Sequence, residues 1–314
     1  MKRPLIILTG PTAVGKTKAS IGLAKAVNGE IISADSMQIY QGMDIGSAKI
    51  RPEEMCGVPH HLIDVLKPDE EFHVVRFQEM AKQAMKVIYD KGKIPILVGG
   101  TGFYIQAVLY DIDFTENDGD DAFRKEMEAF ADAHGAEALH ARLKAADPKS
   151  AEEIHAHNVK RVIRALEYFL QTGTPISEHN EEQRQKESPY QAAYFVLNDE
   201  RAHLYERINL RVDQMIDEGL VDEVKALRDK GYTRDMVSMQ GLGYKEVLAY
   251  LDGEYTMDTA VEMIKRDTRH FAKRQITWFK REKDVIWLDK KAFDYDEDRI
   301  LESMLESLKQ KGIL

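Results

Sequence analysis

Residues Gly10, Pro11, Thr12, Ala13, Val14, Gly15, Lys16 and Thr17 spell G-x-x-x-x-G-K-[ST]. The chemistry open to that spacing is phosphate binding. The two glycines let backbone N–H groups turn inward around an anion, Lys16 adds a point charge, and the Thr17 hydroxyl can bind Mg²⁺. A glycine-rich turn with a chance lysine would read the same over these residues alone, so the flanks decide. An apolar run of strand length, residues 5–8, precedes the loop, and an Ala-rich stretch, 18–27, follows it and stops at Asn28-Gly29. Strand, glycine loop and helix N-terminus is the context the motif needs, with the helix's positive end facing the same anion. Residues 10–17 are therefore expected to hold a phosphate or diphosphate; the loop alone does not say which.

Other residues with chemical potential lie at strand ends. Asp35 ends a candidate strand, where a carboxylate can bind Mg²⁺ or act as a base; with Ser36 it can equally cap a turn. Gln38 lies close enough to hydrogen-bond a base edge. Thr101 sits within Gly-Gly-Thr-Gly at 99–102, where its hydroxyl and nearby N–H groups could hold an anionic oxygen, or where the glycines simply start a helix. His60 and His61 are adjacent, so on a strand their rings face opposite sides and a shared metal is not expected. The apolar run 94–98 ends in Gly-Gly rather than Asp, which leaves no Walker B strand and weakens an ATPase reading.

These positions need a scaffold. Strand candidates at 5–8, 30–34, 61–65 and 94–98 alternate with helix candidates at 18–27, 74–90 and after residue 102. In 74–90, Phe77, Met80, Ala81, Ala84, Met85 and Ile88 recur at helical spacing. The alternation implies an α/β fold: a P-loop NTPase-like parallel sheet flanked by helices, with ligands beyond the carboxyl ends of the strands. Residues 115–189 read instead as a mostly helical, charged insertion opened by Asp/Gly punctuation at 117–121. Its clearest helix is 158–171, with Val159, Val162, Ile163, Leu166, Phe169 and Leu170 on one face. A strand at 192–197, helices over 201–283, a strand at 285–288 and a helix at 299–311 follow. The expected organisation is a catalytic core of 1–114 and 190–314 with the helical insertion between.

The 314 residues carry a formal charge of −10 and a single cysteine, Cys56, which excludes an intramolecular disulfide and a cysteine-rich zinc site. No signal peptide precedes the first strand and no apolar run is long enough for a membrane span, so a cytoplasmic protein without a membrane partner is expected. The net charge argues mildly against a nucleic-acid partner, yet basic clusters stand out against it. Lys160, Arg161 and Arg164 flank one helix; His203, Arg207 and Arg211 follow an i, i+4 stripe. Residues 265–283, which include Lys273 and Arg274, hold eight Lys/Arg against two carboxylates. A solvated face explains any one of them; three together raise the case for a polyanionic partner.

The chain resembles bacterial tRNA dimethylallyltransferases, also called tRNA isopentenyltransferases. Beyond the loop, the resemblance rests on Asp35-Ser36-Met37-Gln38-Ile39-Tyr40, on Met43-Asp44-Ile45-Gly46 with Ala48-Lys49, and on His60-His61-Leu62-Ile63-Asp64. Val98-Gly99-Gly100-Thr101-Gly102, Arg161 and Arg164 through Ala165-Leu166-Glu167, the segment 241–246, and Ala272-Lys273-Arg274-Gln275-Ile276-Thr277-Trp278 complete it. Val14 departs from the Ser of many members, and the zinc finger of eukaryotic relatives is absent. The resemblance implies transfer of a dimethylallyl group from dimethylallyl diphosphate to N6 of the adenosine 3′ to the anticodon. It implies that 10–17 and Arg211 bind the diphosphate with Mg²⁺ at Thr17, that Asp35 is the general base, and that Thr101 orients the donor. It further implies that Asp35, Ser36, Met37, Gln38, Thr101, Arg124, Lys160, Arg161, Arg164, Lys273 and Arg274 meet the tRNA anticodon stem-loop, with the insertion as the stem-binding element. A monomer is expected. The rival readings are an adenylate isopentenyltransferase acting on free nucleotide, a small-molecule kinase using ATP, and an RNA-binding regulator without prenyl chemistry.

Overall fold

The computed structural model describes residues 2–114 and 121–314. The expected opening of the insertion at 115–120 lies outside the described residues. The chain separates into two compact units, Met1–Asp111 with Ser188–Leu314, and Ile112–Glu187.

In the first unit, β1 (Arg3–Thr9), α1 (Lys16–Ala26), β2 (Gly29–Ser33), β3 (His60–His61), α2 (Val74–Asp90), β4 (Ile94–Gly99) and α3 (Gly102–Leu109) come first. The second unit contributes α4 (Asp121–His134), α5 (Ala136–Ala146), α6 (Pro148–Glu153), α7 (Val159–Thr172) and α8 (Ile176–Gln185). The first unit resumes with β5 (Tyr190–Asn198), α9 (Arg201–Asp217), α10 (Leu220–Asp229), α11 (Tyr244–Leu251), α12 (Met257–Phe279), β6 (Val285–Asp289) and α13 (Glu297–Gln310). The six strands form one sheet in the order β3-β2-β4-β1-β5-β6. Every pairing is parallel, including Ile6 with Ile96 and Ala193.

An all-parallel sheet must be covered on both faces, which is why its strands read as continuous apolar runs. Leu5 and Ile7 point into one core with Ile32, Leu97 and Val196. Ile6 and Leu8 point into the other with Ile31, Ile96 and Phe195. Removing each such side chain from water contributes about 1.5–3 kcal/mol. Because all strands run the same way, the turns after β1, β2, β4, β5 and β6 emerge along one edge.

Helix 74–90 forms over Val74–Asp90, opened by the His73 imidazole, which accepts from the Arg76 amide at 3.3 Å. The strand expected at 61–65 is corrected: β3 stops at His61, because Leu62 and Asp64 take left-handed backbone, φ 63° and 55°. The helices expected over 201–283 form as four α-helices and a 3-10 turn. In the second unit, Met127, Leu139, Leu143, Val162, Ile163 and Leu166 make a core of their own. Leu170, expected on that apolar face, is instead 63% exposed near the end of α7, which Gly173 closes at φ 70°.

Candidate active site

The 10–17 loop joins β1 to α1, with Gly15 as helix N-cap. Gly10 (φ 145°) sits so close to β5 that a Cβ would lie 2.4 Å from the Leu197 carbonyl oxygen, so only glycine fits. Ala13 and Gly15 also take positive φ, 63° and 102°. The loop is held from outside at successive positions. The Thr12 amide donates to Gln275 Oε1 at 2.9 Å, Arg207 Nε donates to the Ala13 carbonyl at 2.9 Å, and buried Lys290 Nζ donates to the Val14 carbonyl at 3.4 Å. Lys16 folds back over its own loop, donating to the Gly10 and Pro11 carbonyls at 3.0 and 2.9 Å. The first amides of α1 have no intrahelical acceptor and are open to an anion. Thr17 is exposed.

Lys16, Asp35 and Arg211 converge electrostatically. Burial pulls the Lys16 ammonium down to about 8, against the attraction of Asp35 and with the repulsion of Arg211. Burial also lowers Arg211 below its ordinary value, and Asp35 opposes that too. Asp35 follows β2. Its Oδ1 accepts from the Met37 and Gln38 amides at 2.8 and 3.3 Å, so the turn-capping role is realised. Those bonds occupy one oxygen and leave Oδ2 for an incoming proton. Ser36 and Met37 are half-buried on the same turn. The Gln38 amide is engaged internally: Oε1 accepts from Ser33 Oγ at 3.3 Å, while Nε2 donates to the Ser47 and Ala48 carbonyls at 3.4 and 3.3 Å. Reading a base edge would require it to release those bonds.

The turn after β4 is tied to both neighbours. Thr9 Oγ1 donates to the Gly99 carbonyl at 2.6 Å, and the Thr101 amide donates to the Ala34 carbonyl at 3.3 Å. Thr101 is the N-cap of α3, yet its side chain makes no cap bond. The turn therefore does start a helix, while the hydroxyl remains available to an anion.

Lys273 and Arg274 lie on α12. Together with His270, Thr277, Trp278 and Arg281 they line a cavity of about 450 Å³. A second cavity of about 540 Å³ shares Lys273 and Thr277 and reaches Asn198 and Asp289 at the ends of β5 and β6, with Arg201, Lys280 and Trp287 beside them. Within the second unit, Lys160 and Arg161 are exposed on α7. Arg124 and Arg164 are instead bound to Glu167, itself 1% exposed, at 2.8 and 2.9 Å. Among the described residues no group of three or more His, Cys, Asp or Glu could hold a metal. His60 Nδ1 contacts the Val58 carbonyl and His61 Nε2 contacts Glu30, each at 2.8 Å. No described helix is long and apolar enough to cross a membrane.

The hold that Arg207, Gln275 and Lys290 have on the loop is not legible in the sequence, although the i, i+4 stripe of Arg207 is. Gln275 stood in plain view within a motif string, but nothing local reveals its partners.

The IPP transferase profile matches residues 38–282, and the isopentenyl transferase profile matches 3–72. The chain is 65% identical over 313 residues to the tRNA dimethylallyltransferase of Lachnoclostridium phytofermentans, covering 99% of each. It is 56% identical to that of Bacillus licheniformis, over 92% of this chain and 91% of the relative. Among solved structures it is similar to the full-length tRNA isopentenylpyrophosphate transferase of Bacillus halodurans, with a TM-score of 0.74, 46% identity, and 99% and 98% coverage. A eukaryotic dimethylallyltransferase acting on tRNA matches with a TM-score of 0.79, 30% identity, and coverage of 91% and 74%.

Proposed function

Because the chain belongs to the IPP transferase family of tRNA dimethylallyltransferases, we propose that its strand-end crevice carries out that transfer with the residues just described. The enzyme is a prenyl transferase. It moves a dimethylallyl group from dimethylallyl diphosphate to N6 of the adenosine 3′ to the anticodon. The observation that carries the site assignment is the convergence of Lys16, Asp35 and Arg211 beside a phosphate loop.

In this reading the amides opening α1, with Lys16 and Arg211, hold the diphosphate and take up the charge that grows as the C–O bond breaks. The Thr101 hydroxyl binds an oxygen next to the reacting carbon and orients it. The exocyclic amine is a weak nucleophile because its lone pair is delocalised into the ring. As the new C–N bond forms, Asp35 Oδ2 accepts the N6 proton and diphosphate leaves. The target base must be splayed out to reach the crevice, which unpaired loop bases allow at least cost. The exposed Thr17 hydroxyl suits Mg²⁺, which is normally held by few protein ligands together with substrate phosphates and would supply charge neutralisation. Lys273 and Arg274 on α12, and Lys160 and Arg161 on α7, are the cations offered to tRNA phosphates. The enzyme acts as a cytoplasmic monomer.

The test is mass analysis of nucleosides from unmodified tRNA incubated with protein, Mg²⁺ and dimethylallyl diphosphate, with AMP and ATP controls. A tRNA- and donor-dependent dimethylallyladenosine is expected. Prenylated AMP would mark a free-nucleotide enzyme, and phosphoryl transfer from ATP a kinase. Asp35→Asn is expected to cut turnover by about 10²–10⁴-fold while tRNA affinity survives; unchanged turnover would remove Asp35 from the base role.

A further inference from the structure

Gln275 is buried, 6% exposed, on the inward side of α12. Its two amide atoms do different jobs. Oε1 accepts from the Thr12 amide at 2.9 Å, and Nε2 donates to the Gly100 carbonyl at 3.0 Å. Gly100 is packed so tightly under that amide that a Cβ there would lie 2.2 Å from Nε2. One side chain therefore ties the loop that grips the diphosphate to the turn that carries Thr101. Arg207 and Lys290 also brace the loop, each through one carbonyl. Gln275 bonds both segments at once, and it does so with an amide, which offers an acceptor and a donor on neighbouring atoms without charge.

We infer that Gln275 is a positioning residue for the transfer: it sets the spacing between the phosphate loop and the Thr101 turn, and so the alignment of the donor's reacting carbon. The inference rests on the reading that this crevice binds the prenyl diphosphate. An uncharged clamp is required there, because a carboxylate in its place would repel the bound diphosphate. Misplacement of reacting atoms by about 1 Å costs on the order of 10²-fold in rate, and a loop released from the turn has that freedom.

Two variants separate positioning from folding. Gln275→Met keeps the side chain's length and loses both bonds. Gln275→Glu keeps the acceptor for Thr12, loses the donor to Gly100 and adds a charge; when protonated, it regains the donor. Steady-state kinetics on tRNA with dimethylallyl diphosphate, run beside wild type, give kcat and donor KM. Thermal unfolding and tRNA Kd are measured on the same preparations. Gln275→Met is expected to lower kcat by about 10–100-fold, with tRNA Kd within about twofold and an unfolding midpoint lowered by only a few degrees for the two unpaired groups. Gln275→Glu is expected to raise donor KM, and its activity relative to wild type is expected to recover as pH falls toward the ordinary Glu range of about 4.3. Wild-type kcat in Gln275→Met, or parallel loss of activity, tRNA binding and thermal stability in both variants, overturns the inference. Wild-type protein without transferase activity would instead remove the functional reading beneath it.

Discussion

At the scale of single residues, Lys16 ties the site to pH. Its ammonium is drawn down to about 8 by burial, with Asp35 opposing and Arg211 reinforcing the shift. The group is charged below that value and loses its charge as pH rises through it. Donor KM is therefore expected to climb between pH 7.5 and 9.5, and Lys16→Arg to flatten that climb because guanidinium stays protonated. A flat wild-type profile over this range would show that Lys16 keeps its charge. Its effect on stability has the opposite sense. The unfolded lysine holds its proton up to about 10.5, so between 8 and 10.5 the unfolded chain binds more protons and this group's contribution to stability rises with pH. The loop around Lys16 was legible in the sequence because its residues are consecutive and its flanks local. Its braces were not. Gln275 lies 263 positions from Thr12 and Lys290 lies 276 from Val14, and no periodicity or spacing reports such a pairing.

At the scale of elements, the parallel sheet is held at the opposite edge by Glu30 of β2. This carboxylate is 1% exposed and meets His61 of β3 at 2.8 Å, and Lys91 and Lys93 beyond α2 at 3.0 and 2.9 Å. Burial pushes its pKa up, but the hydrogen bonds from Lys93, His61 and Lys91 outweigh that and hold it at about 2. A depressed carboxylate stabilises the fold above its unfolded value, and that contribution is lost as pH falls from about 4.5 toward 2. Glu30→Gln is expected to cost about 2–3 kcal/mol at pH 7 by denaturant titration, and to flatten the acid limb of stability. An unchanged midpoint would mean the partly exposed lysines carry no net bond. Gly10→Ala is expected to abolish diphosphate binding in calorimetry, since the new Cβ meets the rigid Leu197 carbonyl; retained affinity would show that β5 yields. Element reading succeeded where period and capping agreed, as at Val74–Asp90. It failed at 61–65, where an apolar pattern ran past a backbone that Leu62 and Asp64 turn left-handed. Side-chain pattern does not encode that.

At the scale of the whole molecule, the two units have separate cores, and the second has its own polar centre. Asp147 is fully buried and accepts from the amide and hydroxyl of Ser150 and from those of Ser177, at 2.6–2.9 Å. Asp147→Ala leaves those donors unpaired. It is expected to destabilise residues 121–187 by about 2–4 kcal/mol, seen as faster amide exchange there with the first unit's protection unchanged. Affinity for tRNA should fall while affinity for diphosphate is kept; loss of both would show that the units do not behave independently. Glu167 also offsets part of this unit's positive charge, because it binds the partly exposed Arg124 and Arg164, while Lys160 and Arg161 are exposed.

The bracing of the phosphate loop by late residues has a consequence for how the protein is made. A ribosome delivers residues 10–17 well before Leu197, Arg207, Gln275 and Lys290, which shape that loop. At about 5–20 residues per second, the first part of the site to be synthesised waits tens of seconds for the last. A nascent chain that has not yet reached Lys290 therefore lacks part of the cradle, however complete its motif. The shape of residues 10–17 is thus settled by segments made long after the motif itself.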